Sequence, residues 1–222
     1  MTDWESSQAA ELEFWKATWK QFPPATRKLS PAVFARRLSV IRINALMHGH
    51  GHGFPPAHCT EGTWWLEPGC GPIPLVTAFT LAKRRVAIDP LLPEYAAMTG
   101  RSVGMKVNGV LCATGCIEDF DWWRDHMFDY VLLSDALGHF KDAEVGMTNI
   151  LAVTAENGHV LLDEPIRPTG PHNVQGWEKA EDLGNWLMER WGDRWQMDYV
   201  RMAQLHGEKR HRMFTRLSRR VK

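Results

Sequence analysis

Trp64-Trp65-Leu66-Glu67-Pro68-Gly69-Cys70-Gly71-Pro72-Ile73-Pro74 is the stretch from which the rest of the chain can be read. An apolar run suited to a buried strand leads into an acidic residue and then a turn with two glycines. Gly69 and Gly71 permit backbone angles and a close ligand approach that a Cβ would block, at the carboxyl edge of a strand where open α/β sheets bind ligands. The run lacks the Gly-Lys-Ser/Thr of a phosphate loop, and Pro74 stands where a dinucleotide fingerprint requires its third glycine.

Outward from this turn, Val86-Ala87-Ile88-Asp89-Pro90 ends a second apolar run in an acidic residue, about 20 residues on, the spacing at which a carboxylate meets a ribose diol. Beyond residue 60 short apolar runs alternate with helix-length stretches, which signals βαβ units and a mainly parallel sheet. Strands are expected near Trp64–Leu66, Arg85–Ile88, Gly109–Leu111, Tyr130–Leu133 and His159–Leu162. The chain then closes on two further strands, Trp195–Ala203 and Arg212–Leu217, joined by a turn at His206-Gly207-Glu208-Lys209 and pairing as an antiparallel hairpin.

Leu66-Glu67-Pro68-Gly69-Cys70-Gly71 resembles the first motif of the class I S-adenosylmethionine-dependent methyltransferases, and Ile88-Asp89 resembles the second. Gly115-Cys116-Ile117-Glu118-Asp119-Phe120 is similar to the adenine-holding segment, Phe128 to His139 to the fourth strand and the helix start after it, and Asn157 to Glu164 to the fifth strand. The ordered set spans roughly residues 60 to 217, which is more specific than any one motif. The resemblance implies an α/β fold: a Rossmann-like three-layer sandwich whose mainly parallel seven-stranded sheet ends in an antiparallel hairpin.

It also implies S-adenosyl-L-methionine as cofactor. Glu67, Gly69, Cys70 and Gly71 would face its methionine part. Asp89 would hold the ribose, and Ile117 with Leu91 or Leu92 would enclose the adenine, with Pro90, Cys116, Glu118 and Ser134 beside them. Two positions depart from the pattern: Ile73 replaces a third glycine, and Cys116 stands where many members have an aspartate, which moves the adenine contacts to backbone groups near Ile117.

His139, Asp135 and His172 are the candidate catalytic residues, because methyl transfer needs a base only when the acceptor must lose a proton, and imidazole titrates near neutral pH. Each has a plainer reading as a helix-start, cap or loop residue. Glu164 is a rival pocket carboxylate, and Trp177 is a second candidate acceptor contact in the polar loop of residues 167–177.

Ahead of these motifs, Ala9, Leu12, Trp15 and Trp19 recur at helical spacing between Ser6 and Trp19, and a second helix is expected from Pro31 to Met47, capped by Ser30. The glycine-histidine run from His48 to Pro56 reads as a connector. Residues 1–59 are accordingly expected to form a helical lid, and residues 60–222 the methyltransferase domain.

Lysine plus arginine and aspartate plus glutamate number 26 each among 222 residues, so no global field draws nucleic acid or an anionic surface. No apolar run approaches the roughly 20 residues that span a bilayer, and a cytoplasmic setting is expected. Cys59, Cys70, Cys112 and Cys116 lack metal or disulfide spacing and read as packing residues. His48, His50, His52 and His58 with Cys59 match no structural-zinc pattern, so no metal is expected. The basic end, Lys209 to Lys222, reads as solvated.

Methyl transfer to oxygen or nitrogen of a small-molecule or glycan-type acceptor is the reading that follows. Its alternatives are a nucleic-acid methyltransferase and a non-catalytic cofactor-binding scaffold.

Overall fold

A computed structural model describes residues 3–23, 33, 36–40, 61–99, 106–107, 109–119, 127–170, 174–204 and 211–220. The first helix, α1, runs Asp3–Gln21; α2, α3 and α4 run Leu92–Thr99, Ala143–Val153 and Ala180–Trp191. The strands are β1 (Trp64–Pro68), β2 (Arg84–Asp89), β3 (Lys106–Val107), β4 (Val110–Thr114), β5 (Phe128–Ser134), β6 (Thr154–Pro165), β7 (Trp195–Gln204) and β8 (His211–Arg219).

They form one sheet in the order β3-β4-β2-β1-β5-β6-β8-β7. β4, β2, β1, β5 and β6 are mutually parallel, while β8 runs antiparallel to both β6 and β7. These are the seven expected strands. The two-residue β3, antiparallel to β4, adds an eighth at the edge, turned by Gly109 at φ +78°.

Period-two alternation sorts the strand residues onto two faces. Leu66, Val86, Val131 and Val160 point to one, where Met147 and Ile150 of α3 and Leu183 and Leu187 of α4 cover them. Trp65, Ala87, Leu132 and Leu161 point to the other, where Trp65 lies between the rings of Phe79, 4.0 Å away, and Tyr130, 4.5 Å away. Full burial of a Leu, Val or Phe side chain contributes roughly 1.5–3 kcal/mol, so a continuous core on both faces is what flattens the three layers together.

β6 begins earlier than the sequence suggests. Its pairing with β5 jumps from Phe128↔Thr154 to Tyr130↔His159, so residues 155–158 bulge out. Gly158 has no room for a Cβ there, which would meet the Phe128 carbonyl oxygen at 2.8 Å.

α1 extends past both expected ends, and its inward face differs from the apolar stripe read in the sequence. Trp4, Gln8, Glu11 and Trp15 face the domain, whereas Ala9 is exposed. Of the second expected helix, residue 33 and residues 36–40 are described, and they are helical; the rest of Pro31–Met47, the glycine-histidine run and its histidines, and Cys59 lie outside the described residues. Ser39 is buried and donates to the Pro74 carbonyl at 2.6 Å, tying this segment to the glycine turn's exit.

Candidate active site

A cleft of about 760 Å³, counting its open mouth, lies at the carboxyl ends of β1, β2, β4 and β5 beneath α1. Of the residues singled out in the sequence, Glu67, Gly69, Cys70, Gly71, Asp89, Pro90, Cys116, Ile117, Glu118, Ser134, Asp135 and His139 line it. Leu91 does not, and His172 lies outside the described residues.

The floor is the glycine turn. Gly69 and Gly71 adopt φ +65° and +59°, left-handed angles that glycine takes without strain. The Gly69 amide donates to the Ile88 carbonyl at 2.8 Å, and a Cβ on Gly69 would stand 2.8 Å from that of Ala136. Glu67 is almost wholly buried, and its two oxygens accept the Leu75 and Val76 amides at 3.0 and 2.8 Å. Its carboxylate thus caps the 3-10 turn Leu75–Ala78 that follows the glycines, holding the loop's shape while its flank faces the cleft.

Asp89 ends β2 and is 6% exposed. Oδ2 accepts the Gly71 amide at 2.9 Å and Oδ1 the Leu91 amide at 2.8 Å, so Leu91 contributes its backbone here. Each oxygen keeps a second lone pair, so this cleft-lining carboxylate can accept two further hydrogen bonds. Burial raises the carboxyl to about 6 against these two amide hydrogen bonds.

Ile117 is buried in the cleft wall, and Asn149 Nδ2 holds its carbonyl at 2.9 Å and that of Glu118 at 3.1 Å. The Glu118 carboxylate turns away to accept the Lys141 amide at 2.6 Å. Cys116 lines the cleft and is half-buried, so of the cysteines described only Cys70 and Cys112 are core residues. Burial pushes the Cys116 thiol up to about 11, which leaves it protonated at neutral pH.

Across the cleft, Asp135 sits at φ +55°, an uncommon angle for a residue with a side chain. Its carboxylate takes Arg167 Nη2 at 2.9 Å and lies 3.7 Å from Arg212 Nη1. Burial opposes its charge, but His139 and the two guanidiniums outweigh burial and hold the group well below the usual carboxylate range. Asp135 therefore stays ionised and has no basicity to offer near neutral pH.

His139 Nε2 lies 3.0 Å from Arg167 Nη2. Because a guanidinium only donates, Nε2 accepts and the ring's proton is assigned to Nδ1. Nδ1 is buried without a hydrogen-bond partner, 3.9 Å from Glu11 Oε2. Burial disfavours a charged imidazole, yet Asp135, Glu11 and Glu164 outweigh it and raise its basicity. Asp135 stands 3.9 Å from Nε2, beyond hydrogen-bond distance, and acts there as a nearby charge. Glu164 does not reach the cleft: it accepts the Leu137 and Gly138 amides, and burial next to Asp135 raises it to about 7.

Of the roof residues, the helical stripe read in the sequence included Trp15 but not Trp4, Gln8 or Glu11. Trp4 Nε1 and Gln8 Nε2 donate to the His139 carbonyl at 3.2 and 3.5 Å, Trp15 Nε1 donates to Glu11 Oε1 at 2.6 Å, and all four α1 residues line the cleft. Their spacing of three to four residues was visible, but only two of the four are apolar, so the stripe pointed elsewhere. Tyr95, Ala136 and Phe140 complete the walls.

Two other expectations are corrected. Trp177 is a core residue, 5% exposed with its ring edge-on to Trp186 at 5.8 Å, and does not line the cleft. Over residues 211–219 the basic end is strand rather than solvated tail: Arg212 is buried against Asp163, Arg216 pairs with Asp198 at 2.6 Å, and Arg219 donates to a backbone carbonyl, while Lys209, Arg210 and Lys222 lie outside the described residues. Among the described residues no cluster of metal-ligating side chains and no helix long and apolar enough to cross a membrane is found.

No family model and no curated protein sequence matches the chain. Solved structures do. The TehB-like S-adenosylmethionine-dependent methyltransferase of Corynebacterium glutamicum is 14% identical, with 96% of this chain and 100% of that chain covered and a TM-score of 0.56. The 1,6-didemethyltoxoflavin-N1-methyltransferase of Burkholderia thailandensis, with bound 1,6-didemethyltoxoflavin and S-adenosylhomocysteine, is 16% identical over 87% of this chain and 91% of its own, at 0.56. The N-methyltransferase NodS of Bradyrhizobium japonicum, complexed with S-adenosylhomocysteine, is 15% identical over 82% and 87%, at 0.54. With its strand order, reversed β8 and glycine turn after β1, the chain has the fold of the class I S-adenosylmethionine-dependent methyltransferases.

Proposed function

We propose that the protein is an S-adenosylmethionine-dependent methyltransferase acting on a small molecule. The observation that carries this is Asp89: a buried carboxylate at the end of β2, hydrogen-bonded to the Gly71 and Leu91 amides with a lone pair left on each oxygen. Those lone pairs suit the ribose diol, and the glycine turn leaves the floor open for the methionine part.

When bound, the cofactor supplies an electrophilic methyl on a sulfonium. The chain's part is to align the acceptor and exclude water. Ile117 with Pro90 provides the apolar wall for the adenine, Glu67 holds the loop that cradles the amino-acid end, and α1 roofs the site. Ser134, Asp135 and His139 border the acceptor side. Asp135 acts there as a positioning residue, pinned by Arg167 and Arg212, and His139 as a polar group of the acceptor pocket. The roofed cleft favours a small acceptor, and among the described residues of the basic end Arg212, Arg216 and Arg219 are paired internally, which reduces the basic surface on which a nucleic-acid acceptor would depend.

Calorimetric titration with S-adenosylmethionine and S-adenosylhomocysteine tests the reading, with NADH as control. Micromolar binding of both sulfur ligands, lost in Asp89→Ala, is expected; failure of both to bind the wild-type protein overturns it.

A further inference from the structure

Resting on that reading, we infer that the methyl acceptor is an amine, and that Glu11 of the roof helix receives its proton. Two polar atoms on opposite walls of the acceptor side have no hydrogen-bond partner among the described residues. Nδ1 of His139 is buried and unpartnered, and Glu11 Oε2 faces it at 3.9 Å, too far for a direct hydrogen bond. A ligand N–H donating to Glu11 Oε2 completes the carboxylate, and a separate ligand acceptor beside it completes the Nδ1–H of His139.

The charge of the cleft selects an amine. Glu11, Glu67, Asp89, Glu118 and Asp135 all line it, and among the described residues no lysine or arginine does. Glu67 and Glu118 are bound to backbone amides, Asp89 serves the ribose seat, and Asp135 is neutralised by Arg167 and Arg212. Glu11 is the carboxylate left for the acceptor, since Trp15 takes only Oε1. An acceptor carrying a carboxylate or phosphate would meet repulsion that no described lysine or arginine of the lining offsets, whereas an ammonium gains an ion pair with Glu11. Trp4 and Trp15 line the same cleft, and an aromatic lining also favours a cation.

The step balances. Glu11 Oε2 takes one proton from the ammonium, freeing the nitrogen lone pair. That pair forms the N–C bond to the methyl while the C–S bond breaks toward sulfur, turning the sulfonium into a neutral thioether and leaving the methylated ammonium. The proton on Glu11 returns to solvent through the mouth of the cleft.

The test is a panel assay of S-adenosylhomocysteine release. Benzylamine, phenethylamine, tryptamine and histamine are compared with benzyl alcohol, phenethyl alcohol, benzoate and phenyl phosphate in wild type, Glu11→Gln and Glu11→Asp. Amines are expected to raise release above the acceptor-free rate at least about tenfold more than their alcohol or anionic counterparts. Glu11→Gln, which keeps an oxygen for Trp15, lowers kcat/KM for the amine roughly tenfold to a hundredfold, and Glu11→Asp restores part of it. Turnover of alcohols or anions in preference to amines, no turnover of any amine, or an unchanged rate in Glu11→Gln overturns the assignment. S-adenosylhomocysteine titration of the same proteins separates the causes: bound cofactor with no amine turnover defeats this inference alone, while absent cofactor binding defeats the function on which it rests.

Discussion

Asp89 carries two opposed pH dependences in one side chain. Its carboxyl is raised from 3.8 to about 6 by burial, so between those values the folded protein binds more protons than the unfolded chain, and stability falls as pH rises through that window. Two units correspond to about 3 kcal/mol for a group this buried. With Asp89 in its proposed role at the ribose, ligand binding runs the other way, because hydroxyls donate to the ionised form. Affinity for S-adenosylhomocysteine should therefore be roughly tenfold weaker at pH 5 than at pH 8, while the ligand-free protein unfolds at higher denaturant near pH 4.5 than near pH 7 as far as Asp89 governs it. Calorimetry and urea titration across pH check both signs, and Asp89→Ala should flatten the affinity trend. Asp89 was legible because a strand end and a spacing identify it. Glu11 was not, because nothing local distinguishes a carboxylate facing a cleft from one facing water on an otherwise mixed helix.

At the level of elements, the turn after β1 discriminates between two glycines that look alike in sequence. Both have positive φ, so alanine at either position carries left-handed strain of roughly 1–2 kcal/mol. A Cβ on Gly69 also meets Ala136 Cβ at 2.8 Å, between two rigid backbones, whereas one on Gly71 meets only the Trp15 ring at 3.9 Å. Gly69→Ala should destabilise the protein by about 3 kcal/mol or more, and Gly71→Ala by about 1 kcal/mol, as read from denaturant unfolding. Equal losses would place the constraint in φ alone. The roof helix illustrates the converse: its existence followed from spacing, but its orientation was set by the Trp4 and Gln8 hydrogen bonds to the His139 carbonyl, partners more than a hundred residues away.

For the whole molecule, the reversed strand is joined to the parallel sheet by a buried ion pair. Arg212 Nε on β8 lies 2.6 Å from Asp163 Oδ1 on β6, with Ser134 donating to the other oxygen and Asp135 3.7 Å from the guanidinium. Arg212→Met leaves Asp163 buried and uncompensated and should cost about 3–5 kcal/mol, with Arg212→Met/Asp163→Leu recovering a large part of it. If thermal unfolding shows the single variant unchanged, the pair does not hold the two parts of the sheet together. The strands, the glycine turn and the places of Asp89 and Ile117 along the chain were determined by the sequence itself, because period-two burial and the backbone needs of a turn leave a mark on neighbouring residues. Which face of α1 roofs the cleft, the capture of Glu67, Glu118 and Glu164 by backbone amides, the burial of Trp177, and the pairing of Asp135 and Asp163 with Arg167 and Arg212 were decided only by the tertiary structure. Each depends on a partner brought close by the folding of distant segments, and a polar side chain carries no local signal of which distant group will satisfy it.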